Sequence, residues 1–328
     1  MKVDDFDYHL PRRAIAQFPL KDRVSARLLF LRSDNKIEHY RFSDLPELLK
    51  PGDLLVFNDS KVIRARIRGK KKTGGKAELL LIEKNQEGLW RCLGRGRIQE
   101  GMEISIGDLV GRVEKRDGHN LLVLFNRDPL PYGEIPLPPY IKRRPEPGDE
   151  IYYQNVFARK DGSVAAATAG LHFTDRLLDR LKVKGIDNTM ITCHIRPGIF
   201  QHVKDLHFKM EGEPFEVTQE AADKIRDAGR IIAVGTSVVR VLEGFGPNSV
   251  TAQSGMVKIV IKPGFRFQKI SGMITNFHLP KSPPFIMVSA LVGVERLKEV
   301  YQIAIAQDYR FLSYGDGMLI IRDLDCVW

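Results

Sequence analysis

From Lys61 to about Asn126, apolar and polar positions alternate in short runs: VIRARIRG, AELLLIE, LWRCLG, MEISIG, LVGRVEK and NLLVLF. Turn residues separate them, at Thr73-Gly74-Gly75, Glu87-Gly88, Glu100-Gly101 and Asp117-Gly118. A period of two sends successive side chains to opposite faces, so each run reads as a half-buried strand. Six such runs at close, even spacing predict a small β-barrel or sandwich. Just before them, PGDLLVF (51–57) reads as a turn and a short buried strand. Just after them comes EIPLPPYIKRRPEPGDE, whose prolines favour extended backbone and mark a boundary.

Beyond residue 151 the pattern changes. TDRLLDRLKVKG predicts a short helix with Thr174 as N-cap and Gly185 past its end. EAADKIRDAG predicts another, running into the strand RIIAVG. MITNF reads as a strand, and SPPFIMVSALVGVERLKEVYQIAIAQ as helical from a Ser282 cap, with Pro283 in the first turn. YGDGMLII reads as a turn and a buried strand. The predicted fold class is α/β: a mixed or largely parallel sheet with flanking helices, plus an inserted small β-barrel. Residues 1–60 and 155–328 are expected to form one discontinuous α/β domain, and 61–154 the inserted barrel.

Composition adds three points. The longest apolar stretch, Pro283 to Val294, is too short to span a bilayer, and the acidic N-terminus MKVDDFDYHL lacks the apolar core of a signal peptide. A cytoplasmic protein with no membrane association is expected. Cys92, Cys193 and Cys326 lie far apart, which argues against a disulfide framework and a zinc site. His202 and His207, five apart, and His194 match no usual zinc spacing, so no metal is expected. The net charge of +10, from 51 basic and 41 acidic residues, permits a polyanionic partner, and equally a solvated lysine-rich surface.

Four loops at strand ends are candidates for chemistry. Ala165 to Thr174 (AAATAGLHFT) combines small residues with His172 directly before a helix, which suits either close approach of a ligand or tight packing around a core histidine. Gly235-Thr236-Ser237, between a strand and a helix carrying Arg240, suits an anion held by backbone amides or an ordinary capped turn. Thr275 to Ser282 (TNFHLPKS) gathers Asn276, His278 and Lys281 in a proline-bounded loop, again as a site or as a polar cap. Asp316, between two glycines, reads as a base or as turn chemistry. Near the barrel, alternation sets Arg64, Arg66 and Arg68 on one strand face, which is an RNA-facing stripe or a solvated edge. Lys142 and Arg143 raise the same choice.

Together these stretches resemble one family, the tRNA ribosyltransferase-isomerases that act on queuosine precursors. The resemblance rests on DFDYHLP, IAQFP, PGDLLVFNDSKVI, TGGKAELLL, IPLPPYIKR, YYQNVFA, SVAAATAGLHFT, IIAVGTSVVRVLE, PGFRF, TNFHLPKS and YRFLSYGDGMLI, in family order over about residues 3–321. It implies an α/β domain carrying an inserted β-barrel. It also implies transfer and isomerisation of the ribosyl moiety of S-adenosylmethionine onto 7-aminomethyl-7-deazaguanine in tRNA, giving epoxyqueuosine-tRNA, adenine and methionine. S-adenosylmethionine is then a co-substrate, no further cofactor is needed, and the partner is a tRNA with a queuine-type anticodon. A monomer is the expected state.

For that reaction the sulfonium acidifies the C5′ hydrogens, a base removes one, and adenine leaves with a proton. His172, His278 and Asp316 are the candidate bases. Thr168, Gly170, Gly235, Thr236, Ser237, Arg240, Asn276 and Lys281 are the candidate substrate contacts, with methionine's carboxylate on the amides at 235–237 near Arg240. Arg64, Arg66, Arg68, Lys142 and Arg143 are the candidate RNA contacts.

The chain departs from the family pattern in several places. Ala167 and Arg64 stand where proline is usual, and Cys193 to Phe200 (CHIRPGIF) replaces an LHVGLGTF-type stretch. Glu211 stands where His is usual, and Pro283-Pro284-Phe285 replaces Thr-Leu-Leu. Two rival readings are an S-adenosylmethionine-dependent RNA methyltransferase, whose glycine-rich loop is not evident, and a non-catalytic tRNA-binding relative. A tRNA-guanine transglycosylase would need a (β/α)₈ barrel and clustered zinc cysteines.

Overall fold

The computed structural model describes residues 1–200 and 202–322, so Cys326 lies outside the described residues. The chain first lays down β1 (Arg27–Leu31), β2 (Ile37–Arg41), the short helix α1 (Leu45–Leu48), β3 (Asp53–Asn58) and β4 (Ser60–Val62). Next come β5 (Arg66–Lys71), β6 (Lys76–Lys84), β7 (Trp90–Arg95), β8 (Glu103–Ile106), β9 (Leu109–Asp117) and β10 (Asn120–Phe125). The second half contains α2 (Asp149–Tyr152), β11 (Lys160–Ser163), α3 (Asp175–Val183), β12 (Asp187–Cys193), β13 (Glu213–Val217), α4 (Gln219–Asp227) and β14 (Arg230–Val234). It ends with α5 (Thr236–Glu243), β15 (Gln253–Val257), β16 (Gly272–Asn276), α6 (Pro283–Val292), α7 (Val294–Ala306) and β17 (Gly317–Ile321).

Nine strands form one mixed sheet in the order β15-β13-β12-β3-β14-β16-β17-β1-β2. Its centre, β12-β3-β14-β16, is parallel, and the antiparallel pairings lie toward the edges and at β16-β17. Strands buried on both faces read as continuous apolar runs, as β3 and β16 do. Helices cover both faces, giving one apolar cluster around α5, α6 and α7 and a second around α3 and Phe42. Thr174 caps α3 by accepting the Leu177 amide at 3.2 Å, and Ser282 caps α6 through the Phe285 amide. The long helical segment after Ser282 is two helices, because Gly293 (φ 90°, ψ 145°) breaks it in a conformation open essentially to glycine alone. Strands β1, β2, β12, β13 and β15, which the sequence pattern did not single out, complete the sheet.

Strands β5 to β10 close into a six-stranded barrel with its own core of Ile67, Leu79, Leu81, Cys92, Val113 and Val123. The run VIRARIRG is split: Ser60–Val62 pairs in parallel with β11, and the barrel ladder begins only at Arg66. Between them the Ala65 amide folds back on the Ile63 carbonyl at 2.7 Å. Arg64 therefore does not share a strand face with Arg66 and Arg68, contrary to the alternation. Among the described residues no helix is long and apolar enough to cross a membrane, and no group of three or more His, Cys, Asp or Glu is placed to hold a metal ion.

Candidate active site

The four central parallel strands end together, at Asn58, Cys193, Val234 and Asn276. The crevice beyond the carboxyl ends of such strands is where α/β sheets hold ligands. A cavity of about 620 Å³ lies there. Its wall takes Ala166 to Ala169 from the first loop, Gly235 to Ser237 from the second and Thr275 to Leu279 from the third, with Tyr140 and Ser313 closing it. A second cavity of about 440 Å³ adjoins it, sharing Ile195, Thr236, Ser237 and Pro284. Apolar side chains such as Phe208, Met210, Ile259 and Met287 line that annex.

The backbone holds this crevice open. Gly235 (φ 97°, ψ 151°) turns β14 into α5, and its amide bonds the Ile274 carbonyl at 2.8 Å. Asn58, at the end of β3, ties the loops together: its Nδ2 donates to the Cys193 carbonyl at 2.8 Å and to Ser237 Oγ at 3.2 Å. Its Oδ1 accepts the amides of Ser60 and Cys193. Beneath the third loop sits an aromatic cluster of Tyr8, Phe277, Phe285, Tyr301 and Phe311. Tyr8 Oη donates to the His278 carbonyl, and the His278 amide donates to Tyr301 Oη at 3.0 Å, so this loop is fixed before any ligand arrives.

The candidate bases separate. His278 lines the cavity, with Nε2 2.7 Å from Thr275 Oγ1, and burial lowers its pKa to about 3, so the imidazole is neutral at pH 7. His172 lies behind the wall, stacked on Phe42 with ring centroids 4.0 Å apart, and faces a smaller cavity with Arg23, Tyr152 and Tyr314. Burial, reinforced by Arg23 and Arg310, lowers its pKa to about 3 as well. Asp316 turns its carboxylate onto backbone, accepting the amides of Arg27 at 2.8 Å and Arg310 at 2.7 Å. Burial raises its pKa above the usual carboxylate range.

Of the other candidates, Thr168, Gly235, Thr236, Ser237 and Asn276 reach the cavity. The Asn276 Nδ2 is within 3.3 Å of the Leu312 and Asp316 carbonyls and of His172 Nε2, which leaves its buried Oδ1 without a hydrogen-bond partner. Gly170 packs on Asn155, where an added Cβ would meet the side chain at 2.7 Å. Lys281 pairs with Asp4 and Asp7 at 2.8 and 2.9 Å. Arg240 is buried at the floor of the annex, bound to Glu213 and to the Val257 and Ile259 carbonyls. Burial pushes the Glu213 carboxyl up to about 7 against the pull of Arg240.

The candidate RNA contacts are largely engaged with protein groups. Arg64 pairs with Glu150 at 3.4 Å, Arg66 with Glu78 at 3.4 Å, and Arg68 with Glu78 at 3.3 Å and Glu134 at 2.8 Å. Lys142 Nζ donates to the Pro139 carbonyl, and Arg143 grips Asp149 with two bonds of 2.6 and 2.7 Å.

Sequence reasoning passed over Tyr140 and gave no role to Ser313 or Asn58, though both lie in loops it noted. Tyr140 lies in the proline-rich segment read as a boundary, and its Oη is 2.6 Å from Ser313 Oγ at the cavity. A tyrosine in a proline-fixed segment was the available signal.

A model of the queuosine biosynthesis protein family matches residues 3–320. The chain belongs to that family. It is similar to the S-adenosylmethionine:tRNA ribosyltransferase-isomerase of Anaeromyxobacter sp. (strain Fw109-5), 44% identical over 98% of this chain and 99% of the relative. The protein of the same name from Aquifex aeolicus is 42% identical over 98% of this chain and 100% of its own length. Among solved structures, an S-adenosylmethionine tRNA ribosyltransferase from Thermotoga maritima matches with a TM-score of 0.56 and 33% identity, covering 97% of this chain and 100% of that one.

Proposed function

We infer that this chain is an S-adenosylmethionine:tRNA ribosyltransferase-isomerase. The observation that carries the reading is the full-length similarity to proteins of that name, and the meeting of its most distinctive loops at one cavity supports it. The substrates are S-adenosylmethionine and a tRNA bearing 7-aminomethyl-7-deazaguanine in a queuine-type anticodon, with no further cofactor, and the working unit is a cytoplasmic monomer.

The main cavity takes the adenosine and the apolar annex takes the methionine chain, which places the sulfonium near Thr236 and Ser237, where the two cavities meet. The sulfonium acidifies the C5′ hydrogens, and the neutral His278 imidazole removes one of them. Thr275 orients that ring through its hydroxyl. The unpartnered Asn276 Oδ1 accepts an N–H from a bound base, since a buried acceptor gains most from a donor where it has none. Adenine leaves with a proton, and the tRNA aminomethyl nitrogen loses one as it bonds to the ribosyl carbon. The carbon–sulfur bond breaks to release methionine as an oxygen of the former ribose closes the epoxide. His172 and Asp316 hold the wall: their polar atoms face Asn276 and backbone amides.

Incubation with S-adenosylmethionine and precursor-containing tRNA should release adenine and methionine in equal amounts, and only when that tRNA is present. Transfer of a methyl group to tRNA, with S-adenosylhomocysteine as coproduct, would replace this reading with the methyltransferase.

A further inference from the structure

A fourth concavity, about 1660 Å³ in volume, lies on the outer face of the barrel. Alternation on β5, β6 and β7 sends Ile67, Leu79 and Cys92 into the barrel core and Lys70, Lys76 and Arg95 outward. Arg144 joins them from the proline-rich segment, and Arg68, Glu78 and Glu134 form the rest of the charged lining. Several cations around the barrel have carboxylate partners: Arg66, Arg68, Lys72, Arg91, Arg112 and Arg127 all form ion pairs. Lys70, Lys76, Arg95 and Arg144 are exposed and form no side-chain ion pair or hydrogen bond among the described residues.

Their arrangement works against folding. Lys70 and Lys76 stand directly opposite each other in the β5-β6 ladder, and like charges in that position destabilise a sheet. Arg95 stands opposite Glu78, but that carboxylate is already taken by Arg66 and Arg68. A solvated surface scatters its charges among both signs, whereas here four unneutralised cations line one concave face. The groove is also tied to the active site. Arg144 is four residues from Tyr140, which lines the main cavity, so at most about 14 Å of chain separates the two.

We propose that this groove holds the phosphate backbone of the tRNA while the modified base enters the cavity past Tyr140. Resting on the function inferred above, the proposal moves the RNA contact from the ion-paired arginines 64, 66 and 68 to Lys70, Lys76, Arg95 and Arg144. The phosphates supply the counter-charge that the cross-strand lysine pair lacks.

The test uses the full chain and precursor-containing tRNA, with filter binding across a KCl series. Lys70→Ala/Arg95→Ala should raise the tRNA Kd by on the order of tenfold and lower the log–log salt slope by about 0.7–0.9 per lost contact. Lys76→Ala should weaken tRNA binding while leaving Tm unchanged or higher, because it relieves the lysine pair; a merely structural role predicts the reverse. Lys182→Glu, on α3, serves as the control with wild-type affinity. S-adenosylmethionine affinity, measured by calorimetry without tRNA, should not change in any variant. Wild-type Kd and salt slope in Lys70→Ala/Arg95→Ala, with adenine release intact, would overturn the groove and leave the function standing. Loss of polyglutamate binding with tRNA binding untouched would also overturn it, assigning the groove to an acidic protein. A wild-type protein that binds tRNA through these residues yet releases no adenine would support the groove and defeat the function.

Discussion

At the scale of single residues, two histidines with equally depressed pKa values occupy different positions. His278 opens onto the cavity, and His172 is stacked on Phe42 with its Nε2 3.3 Å from Asn276 Nδ2. His278→Ala should lower kcat by roughly 10²–10⁴ with little change in Tm or in tRNA affinity, the range expected for a lost general base. His172→Ala should instead lower Tm, since it removes a buried stack and leaves a cavity, with activity falling in step with the folded fraction. Melting temperature and single-turnover rate measured on both variants separate the roles, and a severe rate loss in a fully stable His172→Ala would exchange them. Other departures from the family pattern become intelligible at this scale. Arg196 and Glu211, in place of glycine and histidine, pair with each other at 3.1 Å. Arg196 also reaches Glu83, and Arg91 reaches Glu211 at 2.6 Å, so the altered loop is tied to the barrel.

Among the elements, the β14–α5 turn is constrained by the backbone angles of Gly235. A Cβ at Gly235 would find room, its nearest neighbour being Ala169 Cβ at 3.8 Å, so strain there comes from the backbone angles alone. That conformation costs a non-glycine residue on the order of 1–3 kcal/mol. Gly235→Ala should therefore lower unfolding free energy by about that amount and raise KM for S-adenosylmethionine, because relaxing the turn shifts Thr236 and Ser237. Urea melts and initial rates check this, and wild-type values in both would show that the turn tolerates a side chain. Helix caps, by contrast, were legible from local chemistry at Thr174 and Ser282, which each accept a first-turn amide, as does Thr218, which the sequence pattern did not single out. The division of the segment after Ser282 at Gly293 was not, since apolar residues continue on both sides of it.

For the molecule as a whole, the barrel has its own apolar cluster, and a further cluster joins Val62, Ile135, Leu137, Ile141 and Tyr153 to Ala16, Ala166, Leu171 and Tyr314 of the sheet domain. Global stability should carry the mark of His172. Its folded pKa of about 3 lies below the ordinary 6.5, so between those values the unfolded chain binds a proton that the folded chain does not. Its contribution is complete above pH 6.5 and is lost as pH falls toward 3. Glu213, raised to about 7, acts in the opposite sense over part of that window, so the comparison must be with a variant. In urea melts, the stability gap between wild type and His172→Gln should widen with pH from 4 to 6.5, by up to about 1.4 kcal/mol per pH unit, and then stay flat. A gap that is constant across that range would mean that His172 titrates normally in the folded chain.

Local rules were enough for what local chemistry decides. Period-two alternation marked the barrel strands, hydroxyl caps marked the helices, and the wording of TAGLHFT and TNFHLPKS marked the loops that meet at the crevice. The tertiary structure alone decided which way each side chain faces. His172 and Asn276 meet across 104 residues, and the Asp316 carboxylate takes the amide of Arg27, 289 residues away. Arg66 and Arg68 read as a basic stripe because a sequence shows charges without their partners, and Glu78 and Glu134 reach them only once the barrel closes. Burial and pairing are set by contacts between distant segments, so the identity of the loops was written along the chain, while the roles of the residues within them were fixed by packing.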